Sequence, residues 1–320
     1  MFQWKKLGRV FIPQEMSAGS WMAEFAQGPS ALVYKDFVRV YFSCRPAADS
    51  SGQYVSYSAF VDLDRSNLFN ILRVAERPII ALGGLGAFDE FGIYPVSVIR
   101  DSGSKEVRAY YAGWTRCESV PFNVAIGCAV SEDDGVTFKK VGEGPILSYS
   151  PDEPFVLSGP KIRRFNDTWY LWYIAGRKWK YVNGRPEPVY KIRMATSSNG
   201  FDWVKHNQDL IESRIESDEA QASPDVFFYN GLYHMFFCYR YSADYRGSKY
   251  GYRIGYASSY DLITWSRNDE LAGIDISESG WDDEMISYPH VFEVDGKIYM
   301  AYLGNQVGRY GFGLALADFK

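Results

Sequence analysis

An all-β ring of five blades, each of four antiparallel strands, is predicted by three observations on this 320-residue chain. First, a glutamate, four residues and a proline recur as Glu24 to Pro29, Glu90 to Pro95, Glu219 to Pro224 and Glu284 to Pro289, while a copy stretched by two residues, Glu153 to Pro160, fills the gap. Successive prolines stand 66, 65, 64 and 65 residues apart, so the chain divides into five units of about 64. Second, every unit carries short runs rich in Val, Ile, Tyr, Phe and Trp, broken by Gly, Asn, Asp and Ser, and no window sustains a helical apolar period over three turns. Third, the last unit ends after its third strand, and the missing fourth stands at the other end of the chain. The segment QWKKLGRVFI around Trp4 matches DWVKHNQDLI (202–211) in pattern. Pairing the two termini in one blade closes the ring and removes its free edges.

The fourth unit shows the elements in order. After Glu219 come a strand at 224–230, a turn at Gly231, a second strand at 232–240, a long polar loop, a third strand at 252–259, and a fourth at 263–271. The sequences RVYFSCR, RAYYAGW, WYLWYIAGR and IYMAYLG read as the other second strands, and AIGCAVS, IRMATSS and FGLALAD as third strands. The expected architecture is a five-bladed β-propeller in a single domain, 1–320, with blades near 24–80, 88–147, 152–211, 218–271 and 282–320, and residues 2–12 completing the last. Turns such as SEDDGVTF (131–138) match the Asp-box pattern SxDxGxTW, in which Ser and Asp bond the turn backbone and Gly adopts positive φ. Such boxes serve the fold and carry no information on substrate.

Composition narrows the function. With 47% hydrophobic and 17% aromatic residues the chain can bury a large core, and a net charge of −5 argues against a general nucleic-acid or membrane-surface partner. The opening MFQWKKLGRVFIP has no apolar stretch of signal-peptide length, and no segment approaches a membrane span, so a cytoplasmic location is expected. Cys44, Cys117, Cys128 and Cys238 lack CxxC spacing and a nearby His pair, and read as reduced, mostly buried thiols.

Strand direction alternates within a blade, so the lead-in to each first strand and the loop joining second and third strands share one face of the ring. The acids Glu24, Glu90, Glu153 (or Asp152), Glu219 (or Asp218) and Glu284 (or Asp283) sit at that face. There too the second strands end, in Arg45, Trp114, Arg177, Arg240 and Asn305. Glycoside hydrolysis needs two carboxyl groups, one protonated and one ionised, and repulsion within a ring of acids raises one of them. The alternative is that an acid repeated in every blade does the same structural job in each. Arg45, Arg177 and Arg240 either pair with these acids or clamp an anionic group of a ligand.

Departures from the repeat are informative beside the prolines. Gly28, Tyr94, Gly159, Ser223 and Tyr288 precede them; Ser30, Val96, Lys161, Asp225 and His290 follow. Tyr94, Tyr288, Asp225 and His290 are candidate substrate contacts, His290 being alternatively a packed core histidine. Trp114, Trp179 and Tyr181 offer platforms for sugar rings, while Trp172 fits the core better. With three histidines and no clustered ligand motif, no catalytic metal and no cofactor are expected, a structural cation in the channel being the one exception considered.

First strands opened by proline (GPSALVY, YPVSVI, GPKIRRF, SPDVFFY, YPHVFEV) and SxDxxxW-like turns resemble the five-bladed glycoside hydrolase superfamily of arabinanases, β-xylosidases, levansucrases and invertases, families 43, 68 and 32. The block WDDEMISYPHVF (281–292) is similar to one in bacterial glycosylase-like proteins. The resemblance implies a base or nucleophile on blade one, a pKa-tuning acid on blade three and a general acid on blade four, which fall on Glu24, on Asp152 or Glu153, and on Glu219. In family 43 the blade-one Asp directly precedes the proline; here Gly28 and Gly159 hold the equivalent places and the acids lie upstream. The leading expectation is a glycoside hydrolase-like enzyme acting on a short glycan or glycosyl intermediate, catalysed by Glu219 with Glu24 and Glu153. Glu90, Tyr94, Trp114, Arg45, Arg177, Asp225, Arg240, Glu284, Tyr288 and His290 would then contact the carbohydrate, an anionic one if the arginines face it. The rivals are a non-catalytic carbohydrate-binding propeller and a sialidase-like enzyme that uses Tyr94 or Tyr288 on an acidic sugar.

Overall fold

The computed structural model describes residues 2–16, 19–101 and 106–319. Strand β1 (Phe2–Phe11) opens the chain, and blade one follows as β2 (Glu24–Val33), β3 (Phe37–Arg45), β4 (Tyr57–Asp64) and β5 (Ile71–Val74). Blade two comprises β6 (Gly92–Arg100), β7 (Val107–Thr115), β8 (Asn123–Ser131) and β9 (Lys139–Lys140). Blade three comprises β10 (Phe155–Phe165), β11 (Thr168–Val182), β12 (Arg185–Ser197) and β13 (Val204–Lys205). Blade four comprises β14 (Ala220–Tyr229), β15 (Leu232–Arg240), β16 (Arg253–Ser259) and β17 (Ser266–Arg267). Blade five has β18 (Ser287–Val294), β19 (Lys297–Leu303) and β20 (Phe312–Phe319), and β1 pairs antiparallel with β20 as its fourth strand. The molecule is the five-bladed β-propeller that the repeat predicts, each blade a separate four-stranded antiparallel sheet.

Packing explains the strand compositions. Second strands are covered on both faces by neighbouring blades and read as nearly continuous apolar runs; in β7, Ala109, Tyr110, Tyr111 and Ala112 are all buried. Trp172 on β11 is fully buried against Phe165 and Tyr170, as its alternation suggests. The fourth strands of blades two, three and four are two residues long, much shorter than the sequence pattern suggests, and in blade four a 3-10 turn at Asp269–Ala272 follows Ser266–Arg267. The borrowed β1, by contrast, runs ten residues.

The Asp boxes tie blades together. Ser131 Oγ accepts from the Gly135 amide at 2.8 Å, Asp133 Oδ1 accepts from Thr137 at 2.8 Å, and Gly135 has φ +82°. The hydroxyl of Tyr41 in blade one donates to Gly135 O at 3.0 Å, and Tyr110 of blade two donates to Gly200 O of the next box at 2.8 Å. A side chain at 135 would meet the Tyr41 hydroxyl at 2.1 Å, so the contact requires glycine.

Every first strand bulges at its proline. Register shifts fall between Gln27 and Ser30, Ile93 and Val96, Ser158 and Lys161, Ala222 and Asp225, and Ser287 and His290. Gly28, Gly159, Ser223 and Tyr288 take φ of 64°, 59°, 47° and 53°, and the Tyr94–Pro95 bond is cis. A bulge re-aims the side chains on either side of it. Here the residue before proline points to one face of the ring and the residue after it points to the axis. Groups from four blades meet at the axis: Lys161 Nζ donates to Pro29 O at 3.1 Å and lies 3.4 Å from His290 Nδ1, which is 3.3 Å from Asp225 Oδ2.

Candidate functional site

The second-to-third loops and the bulge tyrosines enclose a cavity of about 850 Å³ on the predicted face of the ring. Its floor holds Arg45, Tyr94, Tyr288 and Tyr190; its walls come from 116–122 in blade two, the β11–β12 hairpin in blade three, and Arg240, Tyr245 and Arg246 in blade four. Tyr94 and Tyr288 reach it because their bulges turn them there, their rings 5.9 Å apart. Burial raises both phenol pKa values, so they remain protonated donors rather than nucleophiles. A more open depression of about 540 Å³ between blades one and two is lined by apolar groups with Arg77 as its charged residue.

Two arginines, Arg240 buried and Arg45 half-buried, meet this cavity in different states. Arg240 is 1% exposed and saturated: Nε donates to Tyr252 Oη at 3.1 Å, Nη1 to Tyr241 O at 2.9 Å, and Nη2 to Pro188 O at 3.2 Å and Tyr190 Oη at 3.1 Å. The Tyr245 ring covers its guanidinium at 3.5 Å. Burial works against its charge, but the surrounding tyrosines outweigh it and the net shift is upward. Arg45 lies among Phe25, Tyr54 and Tyr94 at 4.7, 5.3 and 5.6 Å, donates only Nε to Ser56 Oγ at 3.1 Å, and leaves both Nη groups without a protein partner among the described residues. Burial lowers its pKa, and Tyr94, Tyr288, Tyr54 and Glu24 only partly compensate. The carboxylate paired with it in strand register, Glu24, is taken by Arg309 at 2.7 Å and by the Tyr54 hydroxyl at 3.1 Å. An uncompensated guanidinium facing a cavity is a seat for an anion.

The repeated acids do other work. Glu219 is fully buried: Arg267 of β17 bonds its Oε1 at 2.6 Å, Gln221 donates to the same oxygen at 2.8 Å, and the Arg214 and Ile215 amides donate to Oε2. Burial alone would raise its pKa, but these partners lower it, so it stays ionised, the opposite of a general acid. Glu153 is equally buried, bonded by Tyr173 at 2.8 Å and Arg193 at 3.1 Å and paired with Lys205 of β13 at 2.5 Å. Neither lies on the cavity wall. In blades two and five the corresponding acid is not the glutamate of the sequence pattern but a neighbouring aspartate. Asp89 binds Tyr111 and Lys140, and Asp282 binds Tyr302 and Lys6. Each acid fastens the lead-in of its blade to the outermost strand. Blade one is the exception: Glu24 reaches Arg309 and Tyr54 instead, and its side chain is 22% exposed.

Five predicted contact residues thus converge on the cavity: Arg45, Tyr94, Trp114, Arg240 and Tyr288. The others lie elsewhere, each for a physical reason. Arg177 is the extra residue of a bulge between Gly176 and Lys178, so its exposed side chain turns outward to Asp152 O. Glu90 accepts from the Gly86 amide within its own loop, and Glu284 is held through its backbone by Asn305 and Arg253. Asp225 accepts from Arg163 and the Val291 amide and joins His290 at the axis, where both are sealed. Among the described residues no three His, Cys, Asp or Glu cluster as metal ligands, and Lys161 supplies a cation at the axis. The loops also contribute Tyr54, Arg116, Arg185, Glu187, Tyr190, Tyr245 and Arg246, which strand spacing alone does not single out. Glu187 is locked by Arg246 and the Tyr245 hydroxyl, both at 2.6 Å, and these partners keep it ionised despite burial. Of the cysteines, Cys44, Cys128 and Cys238 are buried thiols and Cys117 is a half-buried one on the cavity wall.

No family model matches the chain. A protein of Mycobacterium tuberculosis, "Uncharacterized protein Rv1502", is 34% identical over 316 residues, covering 98% of this chain and 99% of its own length. The chain belongs to the Rv1502 family. A counterpart in a second strain of the same species, named MT1551, matches it to the same extent. Among solved structures, the fold of this Rv1502 family member is similar to a glycoside hydrolase with TM-score 0.76 and 16% identity over 99% of this chain and 92% of that one. It is similar to BT0996, solved as a complex with RGII, at TM-score 0.75 and 17% identity, over 99% and 92%. For a thermostable family-43 glycoside hydrolase the TM-score is 0.64 and the identity 15%, over 92% and 88%. The resemblance to five-bladed glycoside hydrolases therefore holds as fold; at these identities it carries no residue roles.

Proposed function

We propose that the chain is a carbohydrate-binding propeller whose cavity takes a sugar derivative with an anionic group on Arg45. The observation that carries this reading is half-buried Arg45, whose Nη groups open on the cavity beside tyrosines with no protein partner among the described residues. A ligand oxyanion would supply the two charge-assisted bonds that the protein leaves unmade, while Tyr94 and Tyr288 donate to hydroxyls and Trp114 offers a ring face. The shared fold of glycoside hydrolases supports a glycosyl ligand. Calorimetric titration with glucuronate, N-acetylneuraminate, glucose 1-phosphate and neutral glucose tests it: acidic sugars bind, glucose does not, and Arg45→Met abolishes the difference. Equal binding of glucose and glucuronate would overturn it.

A second reading, hydrolysis by a carboxylate pair, draws on Glu24, a half-buried acid of the repeat that touches a wall residue, Tyr54. It predicts turnover of an aryl-glycoside panel that Glu24→Gln removes without loss of ligand binding. A wild-type protein that binds acidic sugars and cleaves no member of the panel leaves the binding function alone standing.

A further inference from the structure

The cavity has a second cationic level, and we infer from it that the ligand carries two oxyanions, one at the floor and one at the rim. This rests on the reading of Arg45 as an anion seat. Arg185 stands at the tip of the β11–β12 hairpin, exposed, and its side chain has no hydrogen-bond or ion-pair partner among the described residues. Across the mouth, Arg116 stacks on Phe91 at 4.2 Å, donates to Tyr54 O at 3.2 Å, and has its nearest carboxylate, Asp49, 3.9 Å away. Arg246, by contrast, is neutralised by Glu187 at 2.6 Å. The wall holds five arginines against two glutamates, Glu118 and Glu187, so one monoanion on Arg45 leaves the rim unbalanced.

The hairpin that carries Arg185 is braced. Lys178 and Lys180 pair with Asp218 at 2.8 and 2.9 Å, and Asn183 donates to Asp244 at 3.2 Å. Side chains two apart on a strand share a face, so Trp179 and Tyr181, with their cross-strand partners Pro188 and Pro186, form one apolar ledge on the opposite side from those lysines. Phe122 covers the Trp179 end, its ring centroid 5.5 Å away, whereas Tyr181 is 78% exposed; Arg185, opposite Val182 in register, extends from the other face of the same hairpin tip. Both line the cavity, and the tip thus offers an uncovered ring for a C–H-rich sugar face and, separately, an unpaired guanidinium for an anion. The ligand class is a sugar with two oxyanions separated by the depth of the cavity. Sugar bisphosphates, with phosphates at opposite ends of one sugar, and uronate disaccharides both have that chemistry.

Titration calorimetry in one low-salt buffer tests this with two matched pairs: glucose 1-phosphate against glucose 1,6-bisphosphate, and galacturonate against digalacturonate. The two-anion member of at least one pair is expected to bind about ten-fold tighter or better, and the pair that shows the gain identifies the source. Arg185→Met and Tyr181→Ala, both at exposed positions, should remove that gain and leave the one-anion affinity unchanged, whereas Arg45→Met weakens all four probes. Equal affinity within both pairs, or a two-anion advantage that survives both rim substitutions, overturns the rim site and leaves the Arg45 seat standing. Absence of binding by all four probes overturns both.

Discussion

Arg45 and Arg240 end the second strands of blades one and four, border the same cavity and are set among tyrosines, yet only one is satisfied. Arg240 spends its donors on two tyrosine hydroxyls and two carbonyls, and so organises the wall. Arg45 has one partner, Ser56, because the acid opposite it is held by Arg309. Burial of a guanidinium is costly unless its donors are used; the fold uses them at buried Arg240 and leaves the Nη donors of half-buried Arg45 open to a ligand. Repeats carry structure, and the departure from the repeat carries the site. Blade one differs from the other four in both its acid and its arginine.

The largest effect that can break this contrast lies among the acids. Glu219→Gln sets an NH2 group against two of the four donors that the buried carboxylate accepts from, while Arg267 keeps Asp269 at 2.8 Å, and should destabilise the fold by about 3–5 kcal/mol in urea unfolding, without weakening ligand binding per folded molecule. Weakened binding with stability intact would return Glu219 to the active centre. Arg240→Met comes next: it strips partners from Tyr190, Tyr252 and the Pro188 carbonyl, and a loss of about 3–4 kcal/mol is expected from unmade buried bonds. A fall of under about 1 kcal/mol would mean that Arg240, like Arg45, waits for a ligand.

The axis gives a smaller, pH-dependent effect. Burial pushes His290 down to about 4, with Asp225 opposing and Lys161 and Arg163 reinforcing that shift. Between about pH 6.5 and pH 4 the unfolded chain therefore binds a proton that the fold refuses. Its contribution is complete above 6.5 and declines as the pH falls through that window, by about 2–3 kcal/mol. His290→Gln should flatten the stability curve between those values; an unchanged curve would show that another group governs acid sensitivity. Lys161, lowered to about 8 mainly by burial, adds a rise in stability at alkaline pH, since above 8 the unfolded chain holds the extra proton.

The fold was legible because it repeats: period, strand content and the borrowed β1 all follow from patterns that survive averaging over five copies. The site was legible where local geometry is coded locally. Tyr before proline marked Tyr94 and Tyr288, and the strand-end rule marked Arg45, Trp114 and Arg240. It failed at Arg177 because a bulge adds a residue that no spacing reveals. Of the two readings of the repeated acids, Glu153 and Glu219 fit the structural one, and spacing did not single it out because their partner is a Lys or Arg on the outermost strand, about 50 residues away in sequence. In blades two and five a variable lead-in shifts the buried acid to Asp89 and Asp282. Arg116, Arg185 and Arg246 lie on loops where no periodicity operates.

The least perturbing substitution is the most decisive. Arg45→Met removes a half-buried charge with a single hydrogen bond, to Ser56, and should leave stability within about 1 kcal/mol of wild type. In a thermal-shift titration with glucuronate and glucose 1-phosphate, wild type should gain melting temperature with increasing ligand, and the Arg45→Met protein should gain none while unfolding at nearly the same temperature without ligand. Equal ligand-induced shifts in the two proteins would contradict the anion seat on which the account depends.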